Sequence, residues 1–434
     1  MIQKSRIQSF RQLLTPGINI KRWLFLLGIG ALAMGVGFYS LLTWLYQADW
    51  LPNTFYQTLT LQFLPNSLRV ILPLIIGVLV VFLALKRMGI SLIAPFGPRE
   101  QPMAEMLYTH SRRRRGPRIV AIGGGTGMPS LLRGLRQFTD NITAIVTVAD
   151  DGGSSGRLRR EFGLLPPGDF RNNIAALSRD EALMTQVLQY RFGGSVTQNG
   201  SGELKGHAFG NLLLAALTGI TGSFDEALLA AERVLAMRGR VLPSTLEDVA
   251  LVADIVKANG DVERVMGESA IPKVNGRIQQ ISLHPETIRA YPPTLQAILQ
   301  ADIILMGPGS LYTSILPNLL IPDLIQAIQK TRAPKLYICN LATQPGETDN
   351  YNVAKHVESL LKHIPTACLD FVLANDNLSV PTGEGGGNTI YVEPIALAAT
   401  SVKMITADLV DEKRPWRHDS NKLAQIVMQI LENN

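Results

Sequence analysis

Cysteine is nearly absent: in 434 residues there are two, Cys339 and Cys368, each in an apolar context. Two such thiols make neither a disulfide framework nor a zinc spacing, and they suit a reducing compartment. Internal repeats and low-complexity tracts are missing as well, and no Ser or Cys stands at a recognisable triad spacing from His207. The dinucleotide spacing G-x-G-x-x-G is not met, because Met128 occupies the place of its third glycine, so NAD is not inferred.

Charge is missing from one whole stretch. Trp23 to Tyr46 contains no Asp, Glu, Lys or Arg, and as a helix it is long enough to cross a hydrocarbon core of roughly 30 Å. A shorter candidate runs from Leu68 to Leu85, with Arg69 at an edge from which its side chain can snorkel. A signal peptide fits less well, since "YQADW" is a poor cleavage site before a second apolar segment. Lys4, Arg6, Arg11, Lys21 and Arg22 precede the first segment, Lys86, Arg87, Arg99 and Arg112 to Arg115 follow the second, and Gln47 to Ser67 has no basic residue. The positive-inside rule then puts both flanks in the cytoplasm. The expected division is a membrane hairpin over 1–90 (spans about 23–46 and 68–85), a basic linker over 91–117 and a cytoplasmic domain over 118–434. The cluster "SRRRRGPR" carries part of the net charge of +6. Beside a membrane it suits anionic lipid, at about 1 kcal/mol per charge, better than nucleic acid.

From Arg118 onward strand-like and helix-like segments alternate, as a parallel sheet with crossover helices requires. Ile119 to Ile122 reads as a buried strand, and Pro129 with Leu131, Leu132 and Leu135 as the helix that follows. Strands also fit "KLYICNLA", "LDFVLAN" and "TIYVE"; helices fit "GNLLLAALTGI", "DEALLAAERVLAM", "PDLIQAIQ" and "NVAKHVESLLKH". Between the first strand and helix stand Gly123, Gly124, Gly125, Thr126 and Gly127. Bare amides at a helix N-terminus favour an anion, and phosphate is the obvious one. A tight turn without a ligand explains one such run equally well, but the chemistry recurs. Asp150 and Asp151 lead into Gly153, Ser154 and Arg157, and "IILMGPGSLYTS" ends a strand in Gly307, Gly309 and Ser310. In an open parallel sheet these ends share the edge where ligands bind, at the switch in strand order.

Adjacent aspartates at a strand end can bind ribose hydroxyls, hold Mg²⁺ beside a phosphate, act as a base, or simply close a turn; on a strand only one of the two would face the site. In "LLPPGDFRNNIAALS", Asp169, Arg171, Asn172 and Asn173 follow a Pro-Pro-Gly bend, and helix capping accounts for one or two of them at most. Asn211, opening its helix, is a candidate hydrogen-bonder to a base or sugar, whereas a lone His207 is read as structural. Near the C-terminus Arg417 is a candidate phosphate partner and Asp419 a helix cap.

The ordered segments "AIGGGTGMPSLLRGL", "VTVADDGGSSGRLR", "LPPGDFRNN", "GHAFGNLLLAAL", "ADIILMGPGSLYTSILPNLL" and "RHDSNKLA" resemble the YvcK family of bacterial gluconeogenesis factors over Arg118 to Asn434. That family is a branch of the superfamily that includes CofD, the 2-phospho-L-lactate transferase of deazaflavin coenzyme synthesis. The resemblance implies a Rossmann-like α/β fold and binding of UDP-N-acetylglucosamine or another UDP-sugar. It also implies a role in growth on gluconeogenic carbon sources, in cell shape and in peptidoglycan synthesis. The diphosphate is then expected on Gly123 to Gly127 and Gly307 to Ser310, with Asp150, Asp151, Asp169 and their neighbours bordering the nucleoside or sugar. The implied alternative is a phospholactyl transferase acting on a deazaflavin acceptor, with Mg²⁺ at Asp150 or Asp151 and Asp150, Asp151 or Asp169 as catalytic candidates. A sensor is preferred, since "LPPGDFRNN" and "GPGSLYTS" stand where the transferases carry a different acidic segment and an asparagine-containing turn. Anionic lipid, unidentified cell-envelope proteins and a second copy of the chain complete the expected partners, with no nucleic acid. The resemblance does not cover Met1 to Gly116, and the Gly-rich "NDNLSVPTGEGGGNTIYVE" departs from the family pattern.

The topology predicts that a reporter fused after Asn434 will fractionate with membranes and face the cytoplasm; a soluble or outward-facing reporter would refute it.

Overall fold

The computed structural model describes residues 20–93, 113, 115–193, 204–379, 390–397 and 401–433. The chain divides into two compact units, Met1–Arg112 and Arg113–Asn434. Outside the described residues lie Lys4, Arg6, Arg11, Arg99, Arg112 and Arg114 of the basic flanks, and the glycine run of "TGEGGG".

The first unit contains helices α1 (Ile20–Gln47), α2 (Asn53–Leu59) and α3 (Asn66–Ile93). Within α1, Leu26–Gln47 is 22 residues long and apolar enough to cross a membrane, about 33 Å at the helical rise. Its outward-facing Leu32, Met34 and Phe38 are all more than half exposed, which is what a lipid-facing helix presents in the absence of lipid. The second expected span lies within α3, a helix of 28 residues whose apolar part runs over Asn66–Val81 among the described residues and which carries Pro73 inside it. Arg69 does not reach away from the helix; its guanidinium donates to the carbonyls of Leu61, Gln62 and Leu64 at 3.2, 2.9 and 3.1 Å and ties down the turn before α3. The expected outer loop is itself partly helical, and Tyr56 of α2 stacks on Tyr46 with ring centres 4.2 Å apart.

The second unit is an α/β domain around a seven-stranded parallel sheet. Its strands are β1 (Ile119–Gly123), β2 (Ile142–Val146), β3 (Arg240–Pro243), β7 (Ile303–Met306), β8 (Lys335–Ile338), β9 (Phe371–Asn375) and β10 (Lys403–Ala407), in the order β10-β9-β8-β7-β1-β2-β3. β1 is central: Ala121 lies opposite Ala144 of β2 on one side and Leu305 of β7 on the other. Helices cover both faces, so the central strands β1 and β7 are apolar end to end and every one of their residues is buried. Chain order runs outward from β1 to β3 and resumes at β7 on β1's other side, so the switch in strand order falls between β1 and β7.

Two elements are absent from the sequence reading. The excursion between β3 and β7 forms an antiparallel sheet, β5-β4-β6, from β4 (Ala250–Val256), β5 (Val262–Met266) and β6 (Arg277–His284). Its sequence signal is Asn259-Gly260, with Gly260 at φ 90° between β4 and β5, a favoured hairpin pair. A two-stranded hairpin, β11 (Val410–Asp411) with β12 (Arg414–His418), precedes the last helix. One expected strand is corrected: among the described residues, "TIYVE" makes a single bridge, Tyr391 to Ala342, rather than a strand of the sheet.

The helices of this domain are α4 (Met128–Leu135), α5 (Gly153–Phe162), α6 (Pro167–Leu177), α7 (Glu181–Gln189), α8 (Phe209–Thr221), α9 (Phe224–Val234), α10 (Pro292–Leu299), α11 (Leu316–Leu319), α12 (Pro322–Lys330), α13 (Val353–His363) and α14 (Ser420–Glu432). Asp419 caps α14 by accepting from the amides of Asn421 and Lys422, both at 2.8 Å, as its sequence position suggests. α14 packs directly on α4, where Gly134 leaves room for the backbone: a Cβ there would stand 1.9 Å from the Ser420 carbonyl oxygen. Gly134→Ala is therefore expected to force α14 off α4 and destabilise the domain by at least about 1–3 kcal/mol, read as a lowered denaturant midpoint; an unchanged midpoint would show that the two helices part without cost.

Candidate functional site

The site is built where β1 and β7 end. Gly123 to Gly127 connects β1 to α4, Thr147 to Gly152 connects β2 to α5, and Gly307 to Ser310 follows β7. The first and third turns touch backbone to backbone. A Cβ on Gly127 would meet the Pro308 carbonyl oxygen at 2.7 Å, and one on Gly309 would meet the Gly124 carbonyl oxygen at 3.2 Å. Gly125 takes a φ of 65°, in the left-handed region open to glycine.

One buried side chain joins these turns. Asn318 of α11, fully buried, donates from Nδ2 to the carbonyls of Gly123 (3.2 Å) and Ser314 (2.8 Å). A second amide holds the β7 turn from the other side, since Asn340 Oδ1 accepts the Gly309 amide at 3.2 Å. The Gly307 amide is committed to the Ile122 carbonyl at 2.8 Å. By contrast, the amides of Gly124, Thr126 and Gly127 have no acceptor among the described residues. Neither α4, α5 nor α6 has a side-chain cap at its N-terminus. Free amides and uncapped helix ends at a strand-order switch make a cradle for an anion.

Carboxylates surround that cradle. Asp169, in the first turn of α6, accepts the Gly125 amide at 2.6 Å, and burial pushes its pKa up to about 6, with the Gly125 amide and Arg171 opposing and Asp150 reinforcing. Asp150 accepts the Gly152 amide at 2.8 Å; burial raises it too, against the hydrogen bonds of Gly152 and Ser155. Asp151 turns away and accepts the Ser269 amide at 2.9 Å. The two aspartates do diverge, but not as strand neighbours: β2 ends at Val146, and both lie in the loop beyond it. Glu268, in the loop after β5, is pushed up to about 8 by burial and then by Asp150, Asp151, Asp169 and Glu347. Glu347 accepts from Ser310 Oγ and from Thr313 Oγ1, and burial raises it. Among the described residues, no group of three or more His, Cys, Asp or Glu is arranged to hold a metal ion.

Several predicted ligand residues bind one another. Arg171 donates to Asn211 Oδ1 at 3.1 Å and to Asn172 Oδ1 at 3.0 Å, and Asn211 Nδ2 donates to Ser154 Oγ, also at 3.1 Å. Ser154 Oγ in turn lies 3.1 Å from His207 Nδ1. Arg171, Asn211, Ser154 and His207 are all buried, so this network fixes α5, α6 and α8 together behind the cradle. Its loose end is Arg171 Nε, buried without a partner. Thr126 and Gly153 are exposed. Arg417, on β12, has Arg414, Arg133 and Asp411 as its charged neighbours rather than the carboxylates of the cradle. Ser314, Asn318, Asn340, Glu268 and Glu347 were not singled out from the sequence, because their roles depend on long-range packing.

A Rossmann-like parallel sheet with glycine turns meeting at its switch point defines a class of α/β domains that bind anionic ligands at the strand C-termini. Residues 119–434 match the family described as 2-phospho-L-lactate transferase CofD, and this chain belongs to that family. It is 44% identical to the gluconeogenesis factor of Bacillus subtilis (strain 168), over 73% of this chain and 98% of that one. A relative from Nostoc sp. (strain PCC 7120) is 40% identical across 98% of this chain and 93% of its own, a likeness that reaches into the N-terminal unit. Among solved structures, the crystal structure of a protein from Bacillus halodurans is similar with a TM-score of 0.66 and 41% identity, covering 72% of this chain and 99% of that one.

Asn318→Ala removes the side-chain bond to the Gly123 carbonyl of the first turn and the local bond to the Ser314 carbonyl, and leaves buried carbonyls with fewer partners. It is expected to cost about 1–3 kcal/mol of domain stability in urea unfolding; no measurable loss would mean that backbone contact alone holds the turns together.

Proposed function

We propose that this chain is a membrane-attached regulator that binds a UDP-sugar, UDP-N-acetylglucosamine or a close relative of it, on the cytoplasmic side. In this reading the diphosphate lies across the free amides of Gly124, Thr126 and Gly127 and the start of the segment after Ser310. The observation that carries it is the meeting of two glycine turns at the switch between β1 and β7 with those amides unpartnered. The ring of carboxylates argues for a ligand with one negative charge per phosphorus, as in a sugar-diphosphate diester, rather than a doubly charged terminal phosphate. The names of the relatives support a role in growth on gluconeogenic carbon sources. The same reading extends it to cell shape and peptidoglycan synthesis, through cell-envelope partners, with the basic linker on anionic lipid.

A second reading, a phospholactyl transferase acting on a deazaflavin acceptor, is favoured by the description of the family that matches residues 119–434. Both are tested on the full chain in detergent. Calorimetry is expected to detect UDP-N-acetylglucosamine binding to the wild type, and Gly125→Val is expected to abolish it, because a branched side chain at φ 65° strains the turn and meets Ser314 Oγ at 3.0 Å. Circular dichroism checks that the sheet survives. Undiminished binding by the variant would remove the diphosphate from this turn. Product formed from an activated phospholactate donor, a deazaflavin acceptor and Mg²⁺, and lost in Asp150→Asn or Asp151→Asn, would replace the sensor with the transferase.

A further inference from the structure

The glycine turn after β1 already holds an anion of the protein's own. Asp169 lies in the first turn of α6, yet its Oδ2 bonds to the Gly125 amide of another element, 2.6 Å away. The fit is close enough that a Cβ on Gly124 would stand 2.5 Å from the same oxygen. The carboxylate therefore sits against the Gly125 amide, while among the described residues those of Gly124, Thr126 and Gly127 have no acceptor on either side of it. A carboxylate oxygen and a phosphate oxygen make the same demand on an N–H donor, and one N–H cannot serve two anions at full strength.

We propose that Asp169 is a resident competitor in the anion cradle: a ligand phosphate binds by taking the Gly125 amide from the Asp169 carboxylate, so the charge on this residue sets how readily the site fills. The inference rests on the UDP-sugar reading and concerns the regulation of that same site.

The charged groups facing Asp169 are Asp150 from the loop after β2, Glu268 from the loop after β5, and Arg171 from its own helix; the β1 turn contributes only the Gly125 amide. Burial pushes the carboxyl up to about 6, against the Gly125 amide and Arg171 and with Asp150 reinforcing it. Below that pH the neutral acid gives up the amide without leaving two anions side by side, and its hydroxyl can donate to a phosphate oxygen. Above it, binding must displace an ionised carboxylate or take up a proton, so affinity falls as pH rises. In a neutral cytoplasm the site is then held partly shut, and small changes of pH or local charge alter its occupancy.

Calorimetry on the full chain in detergent, with UDP-N-acetylglucosamine as the probe, tests this directly. The charge of the probe's diphosphate diester is constant between about pH 5 and 8, so pH dependence reports on the protein. The wild type is expected to lose up to about tenfold in affinity per pH unit above about 6, with proton uptake visible as a dependence of the binding enthalpy on the buffer's ionisation enthalpy. Asp169→Asn is expected to bind about tenfold or more tightly than wild type near pH 7.5 and to lose the component near pH 6. Glu268→Gln is expected to keep that component, which separates the two raised carboxyls. Should the asparagine variant fail to fold, the proton uptake of the wild type decides alone. A wild type whose binding is independent of pH without proton uptake overturns the competitor and leaves the UDP-sugar reading standing, as does an asparagine variant that folds and binds no more tightly. If neither protein binds the probe at any pH, both readings fall; binding by the variant alone supports the competitor.

Discussion

Two stretches of backbone touch at the centre of the domain, and that contact sets what can surround it. Gly127 lies against Pro308, and Gly309 against Gly124, at separations that leave no room for a Cβ. Every other feature of the site follows from keeping these turns together. β1 and β7 must be neighbours, which requires the chain to leave the sheet after β3 and re-enter on the far side. Asn318 must be buried beneath, and Asn340 must anchor the outer turn. The contact also directs three amides of the first turn away from the protein's own acceptors, and an anion cradle is what remains.

The electrostatics of the cradle oppose its geometry. Amides and uncapped helix ends attract negative charge, yet Asp150, Asp169, Glu268 and Glu347 lie about the same place, with Asp151 turned to the Ser269 amide beside them. The protein resolves part of this by protonation, which is why Asp169 and Glu268 are displaced toward neutrality. The remainder is balanced by Arg159 and Arg171, which lower the cost of ionised Asp150.

The sequence displayed the parallel sheet and its edge because those features are written locally. Glycine runs after apolar strands mark turns wherever they occur, and Asp419 was legible as a cap because its partners are two and three residues away. The antiparallel sheet was not legible: its strands mix apolar and charged residues, as in "VERVM", and only Asn259-Gly260 marks the turn. Arg171, Asn211 and Ser154 looked like ligand groups because a sequence lists polar atoms without their partners, and folding pairs these three. Glu268, Glu347 and Asn318 carried no signal, each being a single residue whose place is decided by elements far away in the chain. The N-terminal unit was legible in its first helix, whose uncharged, apolar length is a one-dimensional property, and less so around its second, where the bonds of Arg69 come from packing.

The seating of α14 on α4 bears on how the molecule is made. β1, the glycine turn and α4 are the first parts of this domain to be synthesised, and the helix that covers α4 is nearly the last, with Gly134 and Ser420 in contact across almost the whole domain. A chain emerging from the ribosome thus holds the complete sequence of its cradle long before it has the layer that supports it. Until the final helix arrives, the side of α4 that meets α14 is bare, although α6 already packs on another side. Contacts of such long sequence separation fold slowly and leave unpaired apolar surface waiting, so synthesis itself imposes an interval in which the ligand site exists in composition but not in shape.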